Sequence, residues 1–235
     1  MWFANKYKCV FFDLDRTLWD FESNANETLK ELYVKYNLDT FISSPCDFIK
    51  TYSTINNRLW AEYISGNLRK EQLRQLRFYL TLKQYGRDDR NMGIQIDTDY
   101  IAICPQKTVL FPYAQEILHY LSSKKYKLYI ITNGFSEIQD IKLRKSGISH
   151  FFSAVFSSED VGYSKPDPRI FQYALSVAKV PAKKCIMIGD DWKSDICGAK
   201  KAGMSQIFFN PLKKEQKIGN TTYEISHLKE IEDIL

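Results

Sequence analysis

Lys8-Cys9-Val10-Phe11-Phe12-Asp13-Leu14-Asp15-Arg16-Thr17-Leu18 is the stretch whose reading decides the fold. Its first part, Lys8–Phe12, carries an unbroken apolar run. A strand with one wet face alternates apolar and polar residues. A continuous run means that both faces are covered, as in a parallel sheet sandwiched by helices. Two carboxylates, Asp13 and Asp15, follow at once. In open parallel sheets ligands bind beyond the carboxyl ends of the strands, so these side chains stand where chemistry is expected. An Asp-x-Asp at a strand exit is also an ordinary way to leave a sheet, and alone it decides nothing.

Outward from this stretch, similar short runs recur. They are Lys127–Thr132 (KLYIIT), Ala154–Ser157 (AVFS), Cys185–Ile188 (CIMI) and Gln206–Phe209 (QIFF), with Thr222–Ile225 as a last edge strand. Helical patterns lie between them. Pro112 is placed as a first-turn proline ahead of Ile117, Leu118 and Leu121. Ile138 and Ile141 lead a helix that Gly147 ends, and Asp167-Pro168 opens another bearing Phe171, Ala174, Leu175 and Ala178. A short helix runs from Asp195 to Gly203, and one more starts at Ser226. Strand and helix alternating in this way predict an α/β fold.

Residues 20–106 read differently. Ala25, Leu29, Leu32, Tyr33 and Tyr36 share one helical face, and Ser44-Pro45 opens a second helix through Phe48, Tyr52, Ile55, Leu59, Trp60 and Tyr63. Gly66 interrupts, and Leu73, Leu76 and Leu80 mark a third helix before Gly86. The polar stretch Arg87–Thr98 shows no periodicity and is expected to be a loop. The expected division is a core of residues 1–19 and 107–235, with a helical unit of residues 20–106 inserted after the first strand.

The 235 residues are 44% hydrophobic and 26% charged, enough apolar material for a sizeable core in a water-facing protein. No run reaches the roughly 18 apolar residues of a membrane helix, and residues 1–15 lead into a strand rather than an export signal. The five cysteines, Cys9, Cys46, Cys104, Cys185 and Cys197, are odd in number and lack CxxC spacing. Free thiols in a reducing cytoplasm are therefore expected. The net charge is +5, with lysines at Lys200, Lys201, Lys213, Lys214 and Lys217. This is either a solvated surface or a mild field for anionic substrates. Without interleaved stacking aromatics, nucleic acid is not an expected partner. No GxxxxGK[ST], GxGxxG or GxSxG occurs.

Three further stretches place polar chemistry at strand ends. Ile130-Ile131-Thr132-Asn133-Gly134 offers a hydroxyl and backbone N–H groups for phosphate oxygens, or else an ordinary helix cap. Ser164-Lys165-Pro166-Asp167-Pro168 holds Lys165 in a stiff loop, where it would meet developing negative charge unless it is a plain surface lysine. Ile188-Gly189-Asp190-Asp191-Trp192-Lys193-Ser194-Asp195 clusters three carboxylates, suited to a hard divalent cation or to capping. Each signal is modest. Four of them at the ends of parallel strands point to one crevice.

As a set, DLDRT, ITNG, SKPDP and GDDWKSD resemble the four motifs of the haloacid dehalogenase superfamily, over nearly the whole chain. The resemblance implies a Rossmann-like core with an inserted α-helical cap. It implies that Asp13 attacks phosphorus and that Asp15 acts as acid and then base. Thr132 and Asn133 would hold phosphate oxygens, and Lys165 would offset charge. Asp13, the Asp15 carbonyl and Asp190 would bind Mg²⁺, with Asp191 or Asp195 orienting its waters. Asp15 and the carboxylate-rich fourth motif argue against attack on carbon, the dehalogenase reaction. A phosphomutase and a non-catalytic phosphate binder are weaker alternatives.

The stretches DRTLWDFESNANETL and ITNGFSEIQDIKLRKSGI further resemble bacterial pyrimidine-type 5′-nucleotidases. That implies a nucleoside monophosphate as substrate, with a small sugar or glycolate-type phosphate as the alternative. Trp19, Phe21 and Asn24 fall where the cap begins, and Trp19 or Phe21 would then either stack on a base or pack the hinge. Arg16 stands where the superfamily often has Asp, Gly, Asn or His, and it puts the substrate in question rather than the chemistry.

Overall fold

The computed structural model describes residues 6–213 and 220–235. Residues 1–5, Lys214 and Lys217 lie outside the described residues. Six strands form one parallel sheet: β1 (Cys9–Phe12), β2 (Lys127–Thr132), β3 (Phe152–Ser157), β4 (Cys185–Gly189), β5 (Ser205–Phe209) and β6 (Tyr223–Ile225). Their order is β3-β2-β1-β4-β5-β6. β1 is fully buried along its length, as its unbroken apolar run requires. It pairs on one side with β2, Phe12 opposite Ile130, and on the other with β4, Phe12 opposite Ile188. The strand order reverses beside β1, which opens a crevice at the carboxyl ends of these three strands.

The helices are α1 (Phe21–Lys35), α2 (Pro45–Ile64), α3 (Lys70–Lys83), α4 (Arg90–Ile103), α5 (Ala114–Ser123), α6 (Ser136–Lys145), the single turn α7 (Ser158–Val161), α8 (Pro168–Ala178) and the short α9 (Gly198–Lys201). α8 follows the expected pattern. Asp167 caps it by accepting the Arg169 N–H, Pro168 fills its first turn, and Ile170, Phe171 and Ala174 are buried. Those side chains join Cys9, Phe11, Tyr129, Ile131, Cys185 and Met187 from the strands in the main apolar core. The cysteines are free thiols. Among the described residues no helix is long and apolar enough to cross a membrane.

The chain divides into two compact units, residues 1–21 with 108–235, and residues 22–107. The second unit is helical, and its interior holds the stacked rings of Tyr52 and Phe78, 4.6 Å between centroids.

Three expectations need correcting. Arg87–Thr98 is no loop, because most of it belongs to α4, capped by Asp89 accepting the Met92 N–H. Its buried face reads Gly93, Ile96, Asp97 and Tyr100. Glycine and aspartate on the inward side erase the apolar periodicity. Gly93 is there because a methyl group would meet the Tyr79 backbone at 2.7 Å. Asp97 is there because it pairs with the buried Arg77. The helix expected from Ser226 is a 3-10 turn over Leu228–Asp233. The helix expected from Pro112 starts at Ala114, with Tyr113 before it in the left-handed region at φ 71°.

Candidate active site

β1 delivers Asp13 one residue past its end. The Asp13 N–H donates to the Ile188 carbonyl at 2.8 Å, which continues the β1–β4 ladder and fixes the backbone beneath the carboxylate. The chain then turns tightly, with the N–H groups of Leu18 and Trp19 both donating to the Leu14 carbonyl. Arg16 stands in the turn at φ 65°, a left-handed conformation that costs a non-glycine residue roughly 1 kcal/mol or more. Its guanidinium lies 4.3 Å from the centroid of the Phe21 ring.

Lys165 lies at the centre of the site. It is 2% exposed, which sets aside the surface-lysine alternative. Its ammonium donates to Asp13 Oδ1 at 2.5 Å, Asp195 Oδ1 at 2.6 Å and the Ile131 carbonyl at 2.8 Å, using all three protons. Burial alone would lower its pKa, but Asp13 and Asp195 outweigh that and keep it charged above the ordinary lysine range. The Asn133 side chain holds the Lys165 backbone in both directions, accepting its N–H at 2.8 Å and donating to its carbonyl at 3.0 Å. Of the Asn133 groups, the side chain is therefore engaged with the lysine loop.

Asp195 is fully buried, whereas Asp191 caps the turn that follows, its Oδ1 accepting the Ser194 N–H at 2.6 Å. Asp195 Oδ2 accepts the Asp191 N–H at 3.1 Å. Gly189 makes this possible, because a methyl group there would lie 2.3 Å from Asp195 Oδ2. Asp13, Asp190 and Asp195 each present an oxygen within 4.8 Å of the others. Burial first, then the charges of Asp13 and Asp195, push the Asp190 carboxyl up to about 8. Burial likewise raises Asp13 to about 7, with Asp195 adding and Lys165 opposing.

Three carboxylates thus face one ammonium. A small, hard divalent cation fits such an all-oxygen cluster and would relieve its surplus negative charge. Asp195 already uses one oxygen on Lys165 and the other on a backbone N–H. Asp13 Oδ2 and Asp190 are left as the direct donors.

Thr132 ends β2, 1% exposed, and its Oγ accepts the Gly134 N–H at 3.0 Å. Asp15 accepts from Lys142 at 2.6 Å and from Gln139 at 2.8 Å. Burial would raise the Asp15 carboxyl, but Lys142 and Gln139 outweigh it and hold it below the usual range. Gln139 and Lys142 were not legible as site residues in the sequence. The available signal was their spacing, i and i+3 on the helix that starts just after ITNG. Trp19 and Asn24 are both fully buried. Phe21 is half-buried beneath Arg16.

Residues 7–203 match the haloacid dehalogenase-like hydrolase family. The chain is 32% identical over 232 residues to pyrimidine 5′-nucleotidase YjjG of Escherichia coli, covering 98% of each. It is 30% identical to pyrimidine 5′-nucleotidase PynA of Streptococcus pneumoniae, covering 97% of this chain and 95% of that one. Among solved structures, the putative hydrolase YfnB of Bacillus subtilis bound to magnesium aligns with TM-score 0.86 and 31% identity, covering 97% and 98% of the two chains.

Proposed function

The chain belongs to the haloacid dehalogenase-like hydrolases, and from that premise we propose that it is a Mg²⁺-dependent phosphomonoester hydrolase with Asp13 as nucleophile. The observation that carries this reading is the buried Lys165 ammonium, which links Asp13 to Asp195 beside Asp190. Dehalogenation at carbon needs one carboxylate. Two further carboxylates and a separate acid, Asp15, suit a dianionic phosphate that must be brought to an anionic nucleophile.

Asp13 attacks phosphorus, and the ester P–O bond breaks as the Asp13–phosphorus bond forms. Asp15, ionised in the resting site, takes up a proton from the bound phosphate monoanion and gives it to the departing alkoxide oxygen. It then takes a proton from the water that attacks phosphorus, which releases phosphate and regenerates Asp13. Thr132 and the Asn133 backbone bind phosphate oxygens, and Lys165 balances charge on Asp13 throughout. Asp13 Oδ2, the Asp15 carbonyl and Asp190 would hold Mg²⁺, with Asp195 rather than Asp191 orienting its waters. When bound, Mg²⁺ neutralises charge between nucleophile and phosphate.

The favoured substrates are nucleoside 5′-monophosphates, pyrimidine ones first, because both nucleotidase relatives span nearly the whole chain. Base recognition is not assigned to Trp19, whose ring is buried. A panel of phosphomonoesters with Mg²⁺ tests the reading. Nucleoside monophosphates should exceed sugar phosphates in kcat/KM, and equal turnover of the two classes would remove the nucleotidase assignment. The protein is expected to act in the cytoplasm on a small metabolite.

A further inference from the structure

α6 carries two polar side chains that approach the site from below. Gln139 is fully buried and Lys142 is 5% exposed. The Gln139 amide nitrogen donates to Asp15 Oδ2 and to Thr132 Oγ, both at 2.8 Å. The Lys142 ammonium donates to Asp15 Oδ1 at 2.6 Å and lies 4.2 Å from the centroid of the buried Trp19 ring. Each oxygen of Asp15 thus has its own donor, and the carboxylate cannot rotate without breaking one of the two bonds.

The same amide acts on Thr132. A hydroxyl has one proton and two acceptor lone pairs. Gly134 N–H takes one lone pair at 3.0 Å and Gln139 takes the other. The hydroxyl proton is then left to donate outward. Gly134 leaves the space for this, since a methyl group there would lie 2.0 Å from Gln139 Nε2. Gln139 Oε1, meanwhile, is buried without a hydrogen-bond partner.

We propose that Gln139 and Lys142 are positioning residues that fix the Asp15 carboxylate for proton transfer to the leaving oxygen and aim the Thr132 hydroxyl at a phosphate oxygen. This rests on the phosphoryl-transfer reading above. Neither residue touches substrate in it; both act through Asp15 and Thr132.

The test compares two esters in the first turnover of the Mg²⁺-supplemented enzyme. Nitrophenolate leaves p-nitrophenyl phosphate without a proton, whereas a ribose alkoxide needs one. Lys142→Met should slow nucleoside release from a nucleoside 5′-monophosphate by about 100-fold or more, and the nitrophenolate burst by less than about 10-fold. Lys142→Arg should recover most of the loss. Gln139→Leu should show the same ester dependence and also weaken inhibition by inorganic phosphate, a binding readout. Gln139→Glu, close in size, should show the ester dependence too, because an ionised carboxylate has no N–H to hold Asp15 Oδ2, and it carries the comparison if the Met variant does not fold. Equal slowing of both esters in these variants, or slowing of neither, overturns the proposal. Asp13→Asn and Asp15→Asn separate the levels. Activity in Asp13→Asn sinks the phosphoryl-transfer reading itself. An ester-dependent loss in Asp15→Asn that is missing from Lys142→Met and both Gln139 variants sinks only the positioning role.

Discussion

Lys165→Met removes a charge that the fold has enclosed. Lys165 is 2% exposed and donates to Asp13, Asp195 and the Ile131 carbonyl. Methionine approximates the stem, so packing changes little and the charge change dominates. Two buried carboxylates lose their common partner, a class of change that costs about 3–5 kcal/mol. At roughly 2–4 °C per kcal/mol for a protein of this size, Tm should fall by about 6–20 °C.

The sign with pH follows from Asp13. Its folded pKa is about 7 even with Lys165 present, against about 3.9 unfolded. A raised carboxyl pKa means that the folded protein holds a proton the unfolded chain has released, so stability falls as pH rises between the two values. Removing the ammonium raises the folded pKa further. Below about 7 Asp13 is largely protonated in both proteins and its charge interaction with Lys165 is small. Above it, only the wild type has the ammonium to balance the carboxylate. The deficit should therefore grow between pH 6 and pH 8.5. Thermal unfolding in chelator at both pH values measures it, since added cation would replace part of the lost charge. A variant melting within about 2 °C of wild type at pH 8.5, or with the same deficit at pH 6, refutes the reasoning. Turnover should fall at least about 100-fold alongside.

Asp13→Asn should lower phosphate release by more than about 1,000-fold while leaving the fold intact, as measured by steady-state assay with circular dichroism. Chelation should abolish turnover and Mg²⁺ should restore it. Mg²⁺ should also raise Tm, by the equivalent of about 2.7 kcal/mol at one hundred times its Kd. Asp190→Asn should flatten that Mg²⁺ dependence of Tm, because it removes a direct donor. In the helical unit, Arg77→Met takes away the ion-pair partner of the buried Asp97 and leaves only the charge of Arg74 acting on it. It should destabilise that unit by about 3–5 kcal/mol, read by denaturant unfolding.

Sequence by itself determined the parallel sheet, because unbroken apolar runs such as Cys9–Phe12 make sense only when both faces are covered. It also placed Asp13, Asp15, Thr132 and Asp190 at or just past strand ends, which are marked locally by the change from apolar to polar residues, whereas Lys165 lies beyond the α7 turn. α4 escaped, since its buried face is built from Gly93 and Asp97, whose reasons lie in Tyr79 and Arg77 on another helix. Only the tertiary structure distinguishes Asp191 from Asp195, four residues apart in one motif. One caps a turn in the open, and the other is buried against Lys165. The same holds for Gln139 and Lys142. Hydropathy reads them as surface residues of a polar helix, and only the approach of α6 to Asp15, more than a hundred residues earlier in the chain, gives their polar ends a partner. Periodicity records which side of an element is buried. Which polar group waits there is set by chain segments that no local window contains.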